Sequence, residues 1–256
     1  MEETAVKPTS PATSDHTHQQ LPRTNAAVNP AALGSPYFLV IVALYVTCLI
    51  MANILAVKIL HIGPWVADAG TMTFPVAYIV GDILTEVYGY SIARRVIWLG
   101  FICNLLAVGM IQIAGAMPAD SSWDGGDAYN RIFGSTPRIL FASACAYIVG
   151  EFVNSYVLAR MKIWTNGRFL WTRTIGSTIV GEGLDSVIFV TVAFAGTMSG
   201  GLVWQMVYTN WILKTVYETI FTPVTYLVIN KLKQIEGVDK FDRGTNFNPL
   251  AVGSVS

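Results

Sequence analysis

Charge is scarce in this chain. Asp, Glu, Lys and Arg together make up 12% of its 256 residues, against 53% apolar residues. A water-soluble domain carries about twice that charged fraction. The 16 basic and 16 acidic residues cancel, so there is no basic excess to bind nucleic acid, and no nucleic-acid partner is expected. Cysteine is nearly absent too. Cys48, Cys103 and Cys145 each lie inside an apolar run; they read as small buried hydrophobes and form no disulfide framework or zinc spacing. Histidine is limited to His16 and His18 near the start and a lone His61, so neither a metal nor another cofactor is expected. Gly-x-Ser-x-Gly, P-loop and His-Glu-x-x-His patterns are missing. Ile79 stands where the Gly-x-Gly-Asp pattern of intramembrane aspartyl proteases needs its first glycine, and Gly181-x-Gly183 lacks the third glycine of a dinucleotide loop. These gaps argue against an enzyme.

What the chain has is long apolar runs. Six candidate spans fall at about 37–57, 71–90, 96–116, 138–159, 174–196 and 203–229, each near the roughly 20 residues that a bilayer requires. The runs are continuous, unlike the alternating ten-residue segments of a membrane barrel. The expected fold is all-α: a polytopic membrane protein with six transmembrane helices in one bundle over residues 36–232. Residues 1–35, rich in Pro, Ala, Thr, Ser and Asn, read as a disordered cytoplasmic tail. They lack the basic-then-apolar order of a signal peptide. Residues 233–256 read as a polar C-terminal tail.

Orientation follows from the basic residues. Arg94 and Arg95 lie between spans two and three, Arg160, Lys162, Arg168 and Arg173 between spans four and five, and Lys231 and Lys233 after span six. The other side has Lys58, Arg131 and Arg138, with Asp120, Asp124 and Asp127 in its longest loop. Cytoplasmic loops collect Lys and Arg, so both termini are expected in the cytoplasm. Trp65, Trp98, Trp164, Trp171 and Trp204 fall near span ends, as an interfacial belt would place them.

Against this background three acidic motifs stand out. Gly81-Asp82-Ile83-Leu84-Thr85-Glu86 and Gly181-Glu182-Gly183-Leu184-Asp185 place acid pairs inside apolar runs, and Gly150-Glu151-Phe152-Val153-Asn154 repeats the pattern with an amide in second place. A charge in hydrocarbon costs roughly 2.5–3.5 kcal/mol or more, so such residues face a bundle interior, a cavity or a substrate. At separations of three or four residues, each pair shares a helix face. Lys214 and Glu218, four apart, form a further pair with a coupling or a structural role. Asn53 divides evenly between ligand and structural readings, whereas Asn104 and Gln112 suit helix–helix hydrogen bonds. The substrate-binding candidates are Glu182, Asp185, Glu151, Asn154, Asp82, Glu86 and Asn53. Tyr78, Tyr88, Phe152, Tyr156, Phe189 and Tyr217 lie near these positions. Carboxylates and amides among aromatics suit a flat, hydrogen-bond-rich heterocycle. Pro75, Pro223 and the glycines beside the acids mark helix breaks, tolerated where backbone lines a cavity.

The segment Phe74-Pro75-Val76-Ala77-Tyr78-Ile79-Val80-Gly81-Asp82-Ile83-Leu84-Thr85-Glu86-Val87-Tyr88-Gly89 resembles a known family, as do Gly150-Glu151-Phe152-Val153-Asn154-Ser155, Arg173-Thr174-Ile175-Gly176-Ser177 and Gly181-Glu182-Gly183-Leu184-Asp185-Ser186. The family is that of the bacterial queuosine precursor transporters, of the vitamin-uptake type, and the resemblance covers about residues 38–230. It implies import of the 7-deazaguanines preQ0 and preQ1, across the bacterial inner membrane, for the tRNA base queuosine. It also implies an architecture similar to the six-helix substrate-binding components of energy-coupling-factor vitamin transporters, here without the ATPase module. Partners would be the small-molecule substrate and membrane lipid, with a homo-oligomer left open. In this picture Glu182 or Asp185 accepts the N1–H and 2-amino edge of the base, and Glu151 and Asn154 complete recognition. Asp82 and Glu86 line the site or carry a coupling proton. Another vitamin or a nucleobase on the same architecture is the alternative.

Overall fold

A computed structural model describes residues 33–55, 58–62, 65–134, 137–194, 196 and 199–251; the expected N-terminal tail, residues 1–35, lies almost wholly outside them. The chain enters through α1 (Pro36–Leu55) and continues into a short antiparallel hairpin of β1 (Ile59–Ile62) and β2 (Trp65–Asp68), with Ile59 opposite Asp68 and Ile62 opposite Trp65. A 3-10 turn at Ala69–Met72 leads into α2 (Phe74–Tyr88). Helix α3 (Tyr90–Ala116), the short α4 (Gly126–Phe133), α5 (Pro137–Trp164), α6 (Leu170–Phe194) and α7 (Gly200–Glu236) follow.

Among the described residues, five helices are long and apolar enough to cross a membrane: α1, α3, residues Phe141–Trp164 of α5, α6 and α7. The second expected span differs. Its apolar run is divided among the 3-10 turn, the 15-residue α2 and a break at Gly89. At about 1.5 Å per residue, α2 reaches only about 22 Å. It compensates by being central, packing against α1, α3, α5 and α7, with Ala77, Tyr78 and nearly every residue from Val80 to Tyr88 buried. Gly89 joins α2 to α3 with φ of +85°, and a Cβ there would meet the Lys240 side chain at 2.6 Å. Both conditions call for glycine.

The bundle is apolar outside and polar within. Leu106 and Leu227 are 64% and 73% exposed, as are Leu39, Val40, Met110 and Ile113 to similar degrees. Asp82, Glu86, Glu151, Glu182 and Glu218 are at most 1% exposed. Only a hydrocarbon solvent makes that distribution favourable, since apolar side chains gain nothing from leaving lipid. The long loop after α3 folds back through α4, where the Tyr129 hydroxyl donates to the Ile111 carbonyl (2.7 Å) and Gln112 Nε2 donates to the Phe133 carbonyl (2.9 Å).

The polar segment after α7 is held against the bundle. Arg94 donates to the carbonyls of Asn246 (2.8 Å) and Asn248 (2.7 Å), Trp98 Nε1 to that of Pro249 (2.9 Å), and the Tyr90 hydroxyl to that of Phe247 (3.1 Å). Asp242 accepts the Tyr90 backbone N–H (3.0 Å) and the Thr245 hydroxyl (2.9 Å), thereby covering a free donor at the start of α3. Burial raises the Asp242 carboxyl above its usual range, against the opposing pull of these hydrogen bonds.

Candidate functional site

Each acidic motif places its glycine at a helix crossing and its acid beside it. Where α5 meets α6, a Cβ on Gly150 would lie 2.8 Å from the Asp185 Cβ, and one on Gly181 2.7 Å from the Asn154 Cβ. On α2, a Cβ on Gly81 would lie 3.3 Å from Glu151 Oε2 and 3.5 Å from the Tyr45 ring. Small residues allow helix backbones to approach closely. The acid after each glycine is drawn into the same crossing, and four helices thus contribute to one polar cluster.

That cluster holds Asp82 of α2, Glu151 and Asn154 of α5, Glu182 and Asp185 of α6, and Lys214 and Glu218 of α7, all buried. Asn154 Nδ2 donates to Asp82 Oδ1 (2.7 Å). Lys214 Nζ lies 2.8 Å from Glu182 Oε2 and 2.5 Å from Asp185 Oδ2, with the Tyr78 ring centroid at 5.6 Å. This corrects the expected local pair: Lys214 bridges to two acids of α6, and neither carboxylate oxygen of Glu218 has a hydrogen-bond partner among the described residues. Asp82 Oδ2, Glu151 Oε2 and Asn154 Oδ1 are likewise buried and unpartnered. All of these atoms are acceptors. One lysine therefore faces five carboxyl groups.

Two tyrosines that the sequence reading missed adjoin the cluster. The Tyr147 hydroxyl donates to the Ile97 carbonyl (3.0 Å), so in its 2.8 Å contact with Tyr45 the Tyr45 hydroxyl is the donor. A polar ring four residues before Glu151 on the same face was the available signal. Of the six aromatics singled out from the sequence, Tyr78 lies against the cluster. Phe152 packs on Trp98, Tyr156 on Phe247, Phe189 on Phe194, Tyr88 on Phe38, and Tyr217 stacks on Phe221 with centroids 4.4 Å apart.

Glu86, one turn beyond Asp82, belongs elsewhere. Arg173 grips it with Nε to Oε2 at 2.8 Å and Nη2 to Oε1 at 2.9 Å, Lys233 Nζ lies 2.6 Å from Oε1, and Lys162 Nζ lies at 3.4 Å. Asp239 contacts both lysines at 2.8 Å. Lys162 also donates to the backbone carbonyls of Glu86 and Lys240. Both Glu86 oxygens are committed to cations, which sets it apart from the acids of the central cluster. Lys162, Arg173 and Lys233, read from the sequence as loop charges, are its partners. Asn53 is also engaged. Its Nδ2 donates to Asn104 Oδ1 (3.1 Å) and the Leu49 carbonyl (3.1 Å), and its Oδ1 accepts from Ser143 (2.9 Å). Asn53 thereby ties α1, α3 and α5 together. Among the described residues no three His, Cys, Asp or Glu side chains converge as metal ligands.

Fold and site together define a multi-pass helical membrane protein with an acceptor-rich polar centre. Residues 68–228, more than half of the chain, match the family described as "Putative vitamin uptake transporter", and the chain belongs to that family. It is 29% identical over 178 residues to the "Probable queuosine precursor transporter" of Bacillus subtilis, covering 69% of this chain and 78% of that protein. It is also 29% identical over 125 residues to the "Queuosine precursor transporter" of Escherichia coli, covering 49% and 54%. A Haemophilus influenzae protein named "Probable queuosine precursor transporter" is 26% identical over 128 residues, covering 49% and 51%. The chain thus spans about half the length of the last two relatives. No solved structure matches.

Proposed function

We propose that this protein imports queuosine precursors, the 7-deazaguanines preQ0 and preQ1, and recognises the base in the central cluster. The observation that carries this reading is the set of buried acceptors without partners on α2, α5 and α7, gathered around one lysine. A 7-deazaguanine presents two adjacent donors, N1–H and the 2-amino group, beside one carbonyl acceptor. Glu151 Oε2 and Asn154 Oδ1 can take the donors, and Lys214 Nζ can meet the carbonyl. Glu182 and Asp185 fix that lysine, and Tyr78 offers a flat face. A buried donor or acceptor left unpaired costs about 1–3 kcal/mol, so a ligand that pairs several at once is favoured over water-like solutes lacking that edge. The names of the relatives support this substrate class.

The membrane arrangement follows from the same helices. α2, sheathed by its neighbours, needs no lipid-facing surface and makes the sixth crossing with the five long helices. Lys162, Arg173 and Lys233 gather at one end, with the C-terminal segment beside them, which supports the reading of both termini as cytoplasmic; the bacterial inner membrane is the location that goes with the proposed substrate. No chemical step on the substrate is part of this reading.

The test is the queuosine content of tRNA in a strain that lacks de novo synthesis and its own transporter, supplied with preQ0 or preQ1. Queuosine should be present with this gene and absent without it, and Glu151→Gln should lose it. Absence of queuosine despite normal membrane levels of the wild-type protein would refute the assignment. Equal competition by guanine would favour a general nucleobase transporter.

A further inference from the structure

The substrate reading uses Glu151, Asn154, Tyr78 and the Lys214 group, and leaves Glu218 without a role. Glu218 is 1% exposed, and neither of its carboxylate oxygens has a hydrogen-bond partner among the described residues. Asp82 on α2 and Glu182 on α6 are the charged groups that act on it directly, Lys214 stands one turn back on its own helix, and Asp185, Tyr78 and Glu151 adjoin Glu182 in turn. Lys214 is already held by Glu182 and Asp185. With every acid ionised, the cluster would hold five negative charges against one positive. Each uncompensated charge buried this way costs several kcal/mol, and preQ0, an uncharged deazaguanine, brings donors but no charge to offset them.

With preQ0 the compensating charge has to come from another source, a metal ion or protons. A metal ion needs several oxygens converging on one centre, and the described residues offer no such group. A proton needs one carboxylate. Glu218 also sits where its helix is weakest: Pro223, five residues on, supplies no backbone N–H to the Thr219 carbonyl. Threonine hydroxyls fold back onto neighbouring carbonyls, Thr222 onto that of Glu218 (2.9 Å), Thr219 onto that of Thr215 (2.8 Å) and Thr225 onto that of Phe221 (3.2 Å). Such back-bonding and proline together allow a transmembrane helix to bend.

Building on the substrate reading, we propose that Glu218 is the proton carrier of the transport cycle. Its carboxylate takes up one proton from the outer side, forming an O–H bond. It stays neutral while the base is bound, and its new donor faces Asp82. That O–H bond breaks toward the cytoplasm as the substrate leaves, and bending at Pro223 changes which side the group meets. One proton then enters with each substrate molecule, and nothing is oxidised or reduced.

The experiment uses the purified full chain in liposomes with labelled preQ0, which carries no charge of its own. With the membrane potential clamped at zero, wild-type protein should accumulate preQ0 about tenfold per unit of imposed pH gradient, acid outside, the ratio that one proton per substrate gives. A protonophore should abolish accumulation, and a sodium gradient should not replace the proton gradient. Glu218→Gln should still exchange labelled for unlabelled preQ0 at equal pH, at a measurable rate, but no longer respond to the gradient. Gradient-independent or sodium-driven accumulation by the wild type, or gradient-driven accumulation by Glu218→Gln, would overturn the proposal. Should Glu218→Gln show no exchange, Glu218→Asp decides: its pH profile should shift to lower pH, following the stronger acidity of aspartate, and an unshifted profile counts against Glu218. Failure of the wild type to exchange either precursor would strike the substrate reading itself.

Discussion

Asp82 and Glu86 stand one turn apart on the same buried helix, yet their surroundings are opposite. Glu86 is gripped by Arg173, Lys233 and Lys162, and Asp239 completes a network of three cations and two acids. Asp82 has one amide partner and belongs to a group in which Lys214 is the sole cation among five acids. The first cluster has spent its hydrogen-bonding capacity on the protein. The second keeps acceptors in reserve. Burial of charge therefore does not identify a binding site by itself; the balance of partners around the charge does.

The contrast predicts opposite costs for similar substitutions. The largest effect should come from Glu86→Gln or Arg173→Ala, because breaking one partner out of a buried network costs about 3–5 kcal/mol. Thermal unfolding in detergent should show a large loss of folded protein; wild-type stability for both would erase the distinction between the clusters. Glu151→Gln should behave in reverse. It removes an uncompensated charge, so stability should be kept or improved, while uptake falls about ten- to hundredfold from the lost charge-assisted hydrogen bond. Paired measurements of melting and uptake on one preparation check this directly.

Next in size is Gly181→Ala. The added methyl would meet the Asn154 Cβ and Cα at 2.7 and 3.1 Å, and overpacking of this kind costs about 1–3 kcal/mol. Because Asn154 must move, melting temperature and uptake should fall together, unlike the split expected for Glu151→Gln. A smaller loss, about 0.6 kcal/mol and at most about 1.7, is expected for Asn53→Ala, whose partners are interhelical hydrogen bonds in the membrane. Uptake per folded molecule should be unchanged, and a selective uptake defect would return Asn53 to the substrate site.

The smallest effect concerns pH. The Asp242 carboxyl is raised in the folded state, so its protonated form is the one favoured by folding. Its contribution is fully present below the ordinary carboxylate range and is lost as pH rises through the raised value. Hydrogen exchange across residues 240–248, corrected for intrinsic rates, should show looser docking as pH is raised from acid to neutral, and Asp242→Asn should flatten that trend.

The long apolar helices were legible because hydrocarbon imposes a length and a composition, and α1, α3, α5, α6 and α7 meet both. α2 was legible as apolar but not as short, since its boundary depends on the break at Gly89 and on burial by other helices. The hairpin and α4 escaped notice, being brief elements between stronger signals. The acids of the central cluster were legible as a set because each interrupts an apolar run beside a glycine. Their partners were not. The spacing of Lys214 and Glu218 fits one helix face, but Lys214 reaches to Glu182 and Asp185, and helical periodicity carries no information about which neighbouring helix lies opposite. Lys162, Arg173 and Lys233 were misplaced for the same reason: loop-end cations and buried cations look alike until the chain is folded.

The docked segment beyond α7 bears on how the protein is made. Its carbonyls and carboxylates complete positions on α3 and α5 that emerge from the ribosome far earlier: Arg94 meets the carbonyls of Asn246 and Asn248, and Lys162 meets Asp239 and the carbonyl of Lys240. Until residues 239–248 are synthesised, Arg94 and Lys162 lack these particular counterparts. The contacts that close this end of the bundle thus form only after residues 239–248 have been made, later than the packing contacts among α1–α6 themselves.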